Sequence, residues 1–367
     1  MEIRVNAATL SEVASKAVKV VPAKSVLPIT DCFLVRIGDR NELVATDLET
    51  TMVCDITTIS SDADIEFCVN AKLFTTTLKN LKDEDITIAV DEETVSIMSK
   101  NGRFTMPRYS HEEYPVYGGE DAVSVMSISA GTLMSITDKV MFAIGNDELR
   151  PVMNGVSFKA LPDGTLECCA TDAHVLSLVS MPSSVDAEAS FIVPRKALSM
   201  IKSFIPQGEV EVAVSKGVVV FESATISIYS RLVEGNYPNY KSVIPSSHIV
   251  SVDFAKSDME EAMRIVNVFS DKMSKRIRLN IMPSSIHCVA QDLDYQVFAE
   301  QSVPCASTGE DKVAVSATKF VDAISALGVD VTTVRMSIVS GSAPVIMRSA
   351  DESVLDHLVL VMPMLYE

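Results

Sequence analysis

The sequence lacks the features that mark a membrane or exported protein. No run of about 18 apolar residues is present, the length that a helix needs to cross a bilayer, although 47% of the 367 residues are hydrophobic. The start, Met1 to Val5, does not form the apolar core of a signal peptide. With 22% charged residues, the composition is that of an ordered globular chain, and we expect it to be cytoplasmic.

Motifs for catalysis and for metal binding are missing as well. The sequence has no Gly-x-Gly-x-x-Gly, Walker loop, His-Glu-x-x-His or Gly-x-Ser-x-Gly. Its seven cysteines include no Cys-x-x-Cys pair, and its five histidines have no ligand spacing, so we expect buried free thiols, no metal and no cofactor. One enzymatic alternative stays open, with Cys168 or Cys169 as nucleophile and His174 as base. Both cysteines lie in an apolar run typical of a strand, which favours a structural role.

The charge balance gives two opposing indications about nucleic acid. A net charge of −18 argues against a simple surface for polyanions. The predicted helices are nevertheless positive in total, so the strands and loops carry all of the acidic excess. A basic helical surface can hold DNA through its phosphates while the acidic remainder repels it. The alternative is that exposed helix faces are lysine-rich without any such role.

A short phrase recurs along the chain. Ala-Thr-Asp ends at Asp47 and again at Asp172, and a degraded copy, Ala-Gln-Asp, ends at Asp292. The spacing is close to one third of the chain, which predicts a domain repeated three times.

Hydrophobic periodicity supports this repeat. Phe74, Leu198 and Phe320 occupy equivalent positions in short helices that each follow a strand and a candidate capping residue. Those capping residues are Asn70, Pro194 and Ser316. After each helix, apolar residues alternate, which predicts strands with one buried face. The six predicted helices cover residues 9–20, 71–82, 132–144, 195–202, 254–269 and 317–327.

Each third thus predicts an α+β domain with two helices and two small antiparallel sheets. Polar and turn-forming residues cluster near the expected boundaries. The predicted domains are residues 1–121, 122–246 and 247–367.

Further phrases extend the pattern over the whole chain. They are Val26-Leu27-Pro28-Ile29, Ala45-Thr46-Asp47-Leu48-Glu49, Met153-Asn154-Gly155, Ala170-Thr171-Asp172 with His174, Val193-Pro194-Arg195-Lys196, Arg231-Leu232-Val233-Glu234-Gly235, Tyr237-Pro238-Asn239-Tyr240 and Val361-Met362-Pro363-Met364. In this order, and with near-identical domain lengths, they resemble the beta subunits of bacterial DNA polymerase III, the sliding clamps.

The resemblance implies a head-to-tail homodimer that closes as a ring around double-stranded DNA without reading its sequence. Such a ring would remove the open sheet edges that make isolated domains prone to aggregation. It implies a processivity factor, not an enzyme, that tethers the DNA polymerase III alpha subunit, the clamp loader, repair polymerases, ligase and mismatch-repair proteins through short hydrophobic motifs. The alternative is a repeat scaffold that binds peptides without encircling DNA; the basic helices favour the clamp.

The resemblance also implies a hydrophobic groove between the second and third domains. The matching positions are Met153, Thr171, Ala173, His174, Val175, Leu176, Pro238, Ser242, Val243, Leu360, Val361, Met362, Pro363 and Met364. Flexible methionines suit a groove that accepts many peptides. The sequence departs from the usual pattern where Ala173-His174-Val175 replaces Gly-His-Arg and where Ser242 replaces a frequent arginine, so the rim is less basic.

Contacts to DNA and to a second subunit follow in the same way. For DNA, Lys24 and Arg150 match basic positions of the family, while Asp147 stands where an uncharged contact is expected. Charge alone adds five helix residues: Lys72, Lys79, Arg195, Lys196 and Lys202. At the dimer interface, Phe104 and Met106 would face Val268 and Phe269 of the partner subunit. For all four residues, burial within the domain is the alternative.

Overall fold

The computed structural model describes residues 1–119, 121–183, 189–205, 207–351 and 355–366. Within these ranges the chain forms six α-helices and 25 β-strands. The helices are α1 (Ala7–Ala17), α2 (Ala71–Lys79), α3 (Ala130–Val140), α4 (Arg195–Phe204), α5 (Lys256–Asn267) and α6 (Ala317–Ala326). All six predicted helices are therefore present, with ends that differ by a few residues.

The strands repeat the same order in each third of the chain. The first third contains β1 (Glu2–Asn6), β2 (Cys32–Ile37), β3 (Glu42–Thr46), β4 (Thr50–Asp55), β5 (Thr58–Ser61), β6 (Ile65–Asn70), β7 (Asp85–Val90), β8 (Thr94–Ser99) and β9 (Gly102–Pro107). The second contains β10 (Val123–Ser129), β11 (Gly155–Ala160), β12 (Thr165–Thr171), β13 (Val175–Pro182), β14 (Ala189–Pro194), β15 (Glu209–Ser215), β16 (Val218–Glu222) and β17 (Ile226–Arg231). The third contains β18 (Val250–Ala255), β19 (Arg276–Ile281), β20 (Ser285–Asp292), β21 (Val297–Ser307), β22 (Asp311–Ser316), β23 (Thr333–Ile338), β24 (Val345–Ser349) and β25 (Asp356–Val361). A strand, a helix, several strands, a second helix and three strands recur each time, which confirms the threefold α+β repeat.

The helices begin and pack as their sequences predict, with one exception. Asn70 caps α2, since its side-chain oxygen accepts a hydrogen bond from the N–H of Leu73 at 2.9 Å. Phe74 and Leu78 of this helix are buried, four residues apart on one face. Pro194 ends β14 directly before α4. Ser316 occupies the N-cap of α6, but its side chain makes no capping hydrogen bond, so its prediction as a side-chain cap is wrong.

The described residues form two compact units, each with its own sheets. One unit combines Met1–Thr132 with Lys196–Leu232, and the other combines Leu133–Arg195 with the chain from Val233 onward. The first unit holds a five-stranded sheet in the order β5-β1-β7-β8-β9 and an eight-stranded sheet in the order β10-β15-β16-β17-β4-β3-β2-β6. The second holds a twelve-stranded sheet in the order β14-β11-β12-β13-β25-β24-β23-β18-β21-β20-β19-β22.

Each unit contains a junction between successive thirds of the chain. In the first unit, β17 pairs antiparallel with β4, and Ile228 lies opposite Met52. In the second unit, β25 pairs antiparallel with β13, and Val359 lies opposite Ser177. At both junctions, the last strand of one third completes the sheet of the third before it.

Candidate functional site

Each copy of the repeated Asp motif forms the same turn. The Oδ1 atom of Asp172 accepts hydrogen bonds from the backbone N–H groups of His174 and Val175, both at 2.8 Å. Asp47 and Asp292 accept from the N–H groups two and three residues later in the same way. Because the carboxylate satisfies backbone donors in a tight turn, the motif is a structural element in every third of the chain.

The turn at Asp172 holds Ala173 in a left-handed backbone conformation. Its φ is 74°, and the equivalent Leu48 has a φ of 78°. Side chains other than that of glycine rarely adopt this region because their Cβ approaches the backbone. Ala173 therefore carries local strain beside the exposed His174.

The C-terminal strand lies along this turn. Val361 pairs with Val175 and Leu360 with Leu176. Beyond the strand, the N–H of Met362 donates to the carbonyl oxygen of His174 at 2.8 Å. The structure thus places the apolar C-terminal run directly beside the second copy of the motif.

An apolar cluster lies beneath this meeting point. Its buried members are Cys169, Leu176, Leu178, Tyr240, Leu358 and Leu360, and Tyr237, Ile244 and Ile346 pack against them. We call this set the groove cluster. It joins side chains from three successive parts of the chain: the β12–β13 hairpin, the linker after β17, and β24 with β25.

Two tyrosines fasten the linker to the hairpin. The hydroxyl of Tyr237 accepts a hydrogen bond from the N–H of Thr171 at 3.0 Å. The hydroxyl of Tyr240 donates to Oε2 of the buried Glu167 at 2.6 Å, and Lys241 lies 2.8 Å from Oε1 of the same carboxylate. Burial raises the pKa of both tyrosines, so both stay protonated and able to hold these contacts.

The predicted groove residues fall into a buried set and a surface set. At most 7% of each buried residue is exposed, and these residues are Met153, Thr171, Val175, Leu176, Leu360 and Val361. The exposed residues are Ala173, His174, Pro238, Ser242, Val243 and Met362, and Pro363 and Met364 are half-buried. A partner protein would therefore contact the surface set. The buried set packs beneath the surface set and supports it.

An ion pair fixes the Asp turn to a helix at each junction. Nζ of Lys319, on α6, forms a salt bridge with Asp172, and Nζ of Lys196, on α4, forms the same contact with Asp47. Burial acts to raise the pKa of Asp172, but the hydrogen bonds from Lys319 and from two backbone N–H groups outweigh it and hold the pKa below its usual range. We call these two contacts the junction latches.

Comparison with protein-family models identifies the chain. Residues 1–118 match the N-terminal domain of the DNA polymerase III beta subunit, residues 127–239 match its central domain, and residues 241–364 match its C-terminal domain. The chain belongs to the DNA polymerase III beta-subunit family. The predicted three clamp domains are thereby confirmed.

Individual relatives match most of the chain. The beta sliding clamp of Haemophilus influenzae is 22% identical, over 92% of each chain, and that of Caulobacter vibrioides is 25% identical over 80% of this chain and 82% of the relative. The crystal structure of the DNA polymerase III beta subunit of Pseudomonas aeruginosa is 23% identical and superposes with a TM-score of 0.93, over 99% of this chain and 100% of that one. This sliding clamp is accordingly a processivity factor and not an enzyme.

The two adjacent cysteines lie in the interior of the protein. Cys168 and Cys169 are fully buried, and Cys169 belongs to the groove cluster. Burial raises the pKa of both thiols, which disfavours the thiolate that a nucleophile requires. Within the described ranges, no group of three or more His, Cys, Asp or Glu side chains could hold a metal ion, and no helix is long and apolar enough to cross a membrane.

The basic residues predicted to bind DNA differ in whether they already contact other residues of this chain. Lys24, Lys72 and Lys79 are exposed and have no ion-pair partner among the residues that the structure describes. Lys196 is held by Asp47, and Arg150 lies 2.9 Å from the carboxylate of Asp147. Arg195 donates to the carbonyl oxygen of Ile144 at 2.9 Å, and Lys202 is exposed. Contact of these residues with DNA stays a prediction.

The predicted interface residues also divide. Phe104 is 41% exposed, Phe269 37% and Val268 79%, which leaves apolar surface uncovered in the first and in the last third of the chain. Met106 is only 3% exposed and belongs to the core of its own domain in this structure.

Sequence reasoning missed two features of this site. The junction latches join residues that are 149 and 147 positions apart in the chain, so no local sequence pattern predicts them. The linker tyrosines, in contrast, could have been found from the sequence, since the motif Tyr114-Pro115-Val116-Tyr117 recurs as Tyr237-Pro238-Asn239-Tyr240. Tyr114 and Tyr117 belong to the equivalent apolar cluster of the first junction.

Proposed function

We propose that two copies of this sliding clamp join head to tail and enclose double-stranded DNA. At both junctions within the chain, the last strand of one third pairs with the strand that follows the Asp turn of the preceding third. Two such edges have no partner among the described residues: β9, which pairs only with β8, and the first half of β21, which pairs only with β20. Because β9 ends the first third and β21 follows Asp292, each edge is the missing complement of the other.

The repeat supports a definite register for this pairing. Met52, Ser177 and Ala299 are equivalent, because each lies opposite the alanine of its own repeated motif. The last strands contain a second equivalent set: Ile228, Val359 and Phe104. Each lies opposite a residue of the strand before it, and those opposing residues hold the same place in the three thirds of the chain. Since Ile228 faces Met52 and Val359 faces Ser177, Phe104 would face Ala299 of the partner subunit.

Charge and burial suit this register. One step along the strands, Arg103 would face Glu300 of the partner subunit, and opposite charges on directly opposed residues stabilise an antiparallel pair. Both residues are exposed in the single chain. The pairing would also cover part of Phe104, just as Ile228 and Val359 are covered at the two internal junctions.

Disulfide trapping tests the pairing. The double variant Arg103→Cys with Glu300→Cys should form a covalent dimer under mild oxidation, because directly opposed residues place their Cα atoms about 4.5–5.5 Å apart. The control, Arg103→Cys with Ser302→Cys, moves one thiol two residues along the strand. The native cysteines give little background, since six of the seven are buried. Equal trapping in both variants, or none in the first, would refute the register.

DNA would be held inside the dimer by phosphate contacts alone. The exposed, unpaired lysines supply positive charge on a protein whose net charge is −18, and contacts that ignore bases permit sliding. The clamp, loaded by its loader, should remain on circular duplex DNA and leave the same DNA after it has been linearised. Equal retention on both would favour the alternative function, a peptide-binding scaffold that does not encircle DNA.

The groove cluster and its surface set would dock partner proteins. A short peptide with a few apolar anchors could rest on Met362, Pro363, Val243 and Pro238 above the buried leucines. The proposed partners are the DNA polymerase III alpha subunit, the clamp loader, repair polymerases, ligase and mismatch-repair proteins, all in the cytoplasm. Deletion of residues 362–367 should abolish binding of the polymerase and the loader while dimerisation survives, which size-exclusion chromatography of the mixtures would measure. Retained binding would place the docking site elsewhere.

A further inference from the structure

The junction latches are present at both internal junctions, and the chain carries the two halves of a third. Asp292 forms the same turn as Asp47 and Asp172, is only 5% exposed, and has no basic partner among the described residues. Lys72 lies two residues before Phe74, as Lys196 lies two residues before Leu198, whereas Lys319 lies one residue before Phe320. Lys72 is exposed without a carboxylate partner in the described part of the chain. A nearly buried carboxylate and an unpaired lysine thus stand where the first latch has Asp47 and Lys196.

We infer that Lys72 of one subunit forms a third latch with Asp292 of the partner subunit. The inference rests on the proposed head-to-tail dimer and extends it, because it identifies an ion pair that fixes the Asp turn of the third domain to α2 of the first. It also places Lys72 in the interface instead of on DNA. Lys79, about two turns further along α2 on the same helix face and also exposed, keeps its proposed role at the DNA.

The chemistry favours an ion pair at this place. A carboxylate that is nearly out of water is costly unless it is hydrogen-bonded and paired. The turn supplies two hydrogen bonds to Oδ1 of Asp292, and a lysine from the partner would supply the charge. At the two internal junctions the same need is met by Lys196 and Lys319.

Charge reversal tests the third latch through mixing. Lys72→Asp and Asp292→Lys should each raise the dimer dissociation constant by about tenfold or more, because both junctions of a homodimer then bring like charges together. In an equimolar mixture, the mixed dimer has the native pair at one junction and the reversed pair at the other. The mixture should therefore dimerise close to the wild-type level, as measured by sedimentation velocity or by fluorescence energy transfer between labelled subunits.

The matched control is Lys79→Asp, which makes the same charge change on the same helix. It should leave dimerisation unchanged, and its mixed dimer with Asp292→Lys still brings two lysines together at one junction. Fluorescence energy transfer between those two labelled variants should therefore stay well below that of the mixture of Lys72→Asp with Asp292→Lys. Equal energy transfer in the two mixtures, or no recovery in the mixture of Lys72→Asp with Asp292→Lys, would overturn the latch while a wild-type dimer kept the proposed function intact. A wild-type protein that is monomeric at micromolar concentration would instead refute the dimer itself.

Discussion

The two junctions within the chain share one framework but present different surfaces. Each has a Tyr-Pro-x-Tyr linker packed against its sheet and a latch between a lysine and the Asp turn. At the second junction, the strand pair Leu176 and Leu360 belongs to the groove cluster. At the first, the equivalent pair is Thr51 and Tyr229.

Polar and aromatic contacts cover the sheet at the first junction. Tyr117 and Tyr229 pack with ring centroids 4.8 Å apart, and the hydroxyl of Tyr117 accepts a hydrogen bond from Nη1 of Arg36 at 3.0 Å. Arg36 also lies 3.7 Å from Glu42 and 3.6 Å from Glu66. A cavity of about 350 Å³ beside these residues is lined mostly by charged and aromatic side chains, including Arg40 and His111.

This difference supports the proposal that only the second junction docks partner proteins. The backbone pairing is the same at both junctions, so the apolar character of the second depends on a few side chains at equivalent positions. At the second junction, an apolar anchor would rest on Met362 and Val243 above the buried leucines. The Arg36 network at the first junction would lose its hydration under such a partner.

The largest expected effect comes from Leu360→Ala at the second junction. Leu360 is 2% exposed within the groove cluster, so its truncation should lower the free energy of unfolding by about 2–4 kcal/mol and weaken binding of a clamp-binding peptide. The matched change, Tyr229→Ala, truncates a half-buried residue of the first junction. It should lower the free energy of unfolding without altering peptide affinity. Urea unfolding and fluorescence polarisation measure the two effects, and an equal loss of affinity in both variants would contradict the assignment of the groove.

A second test removes one latch charge. Asp172→Asn keeps an oxygen for the turn but loses the ion pair with Lys319, which should cost about 1–2 kcal/mol at neutral pH for this partly exposed pair. Folding lowers the pKa of Asp172. The stabilisation that Asp172 gives the folded protein is therefore complete above its unfolded pKa of about 4 and is lost as the pH falls through the folded pKa. The stability difference between wild type and variant should therefore shrink in acid, and a pH-independent difference would exclude the charge as its cause.

A smaller effect is expected from the linker hydroxyls. Tyr240→Phe removes the donor to the buried Glu167 and should cost about 1–2 kcal/mol, since Lys241 remains as a partner. Tyr117→Phe should cost less, because Arg36 keeps both Glu42 and Glu66. Thermal unfolding would rank the two variants, and the reverse order would show that the first junction depends more on its polar network.

The smallest effect should be a gain in stability. Ala173→Gly relieves a φ of 74° and should stabilise the protein by about 0.5–1 kcal/mol despite the added freedom of the unfolded chain. The control Ala170→Gly lies in the regular part of β12 and is buried, so it should destabilise instead. Urea unfolding measures both, and a loss of stability at position 173 would mean that the turn depends on the alanine side chain.

Much of the fold could be predicted because its signals are local. Alternation at Ile86, Ile88 and Val90 predicts a strand, and those residues are buried on one face of β7. The Asp motif could be predicted as a turn because its hydrogen bonds reach only three residues along the chain. Within the predicted groove, sequence could not separate the buried Val361 from the exposed Met362, because their difference depends on where β25 stops pairing.

By itself, the sequence determined a threefold repeat, its helices and strands, and the family that its phrases resemble. Only the tertiary structure decided that Lys196 contacts Asp47, that Lys319 contacts Asp172, and that Leu360 lies beside Leu176. The physical reason is range. Propensity, periodicity and turn chemistry act between neighbours in the chain, whereas ion pairs and strand pairing join residues that folding alone brings together.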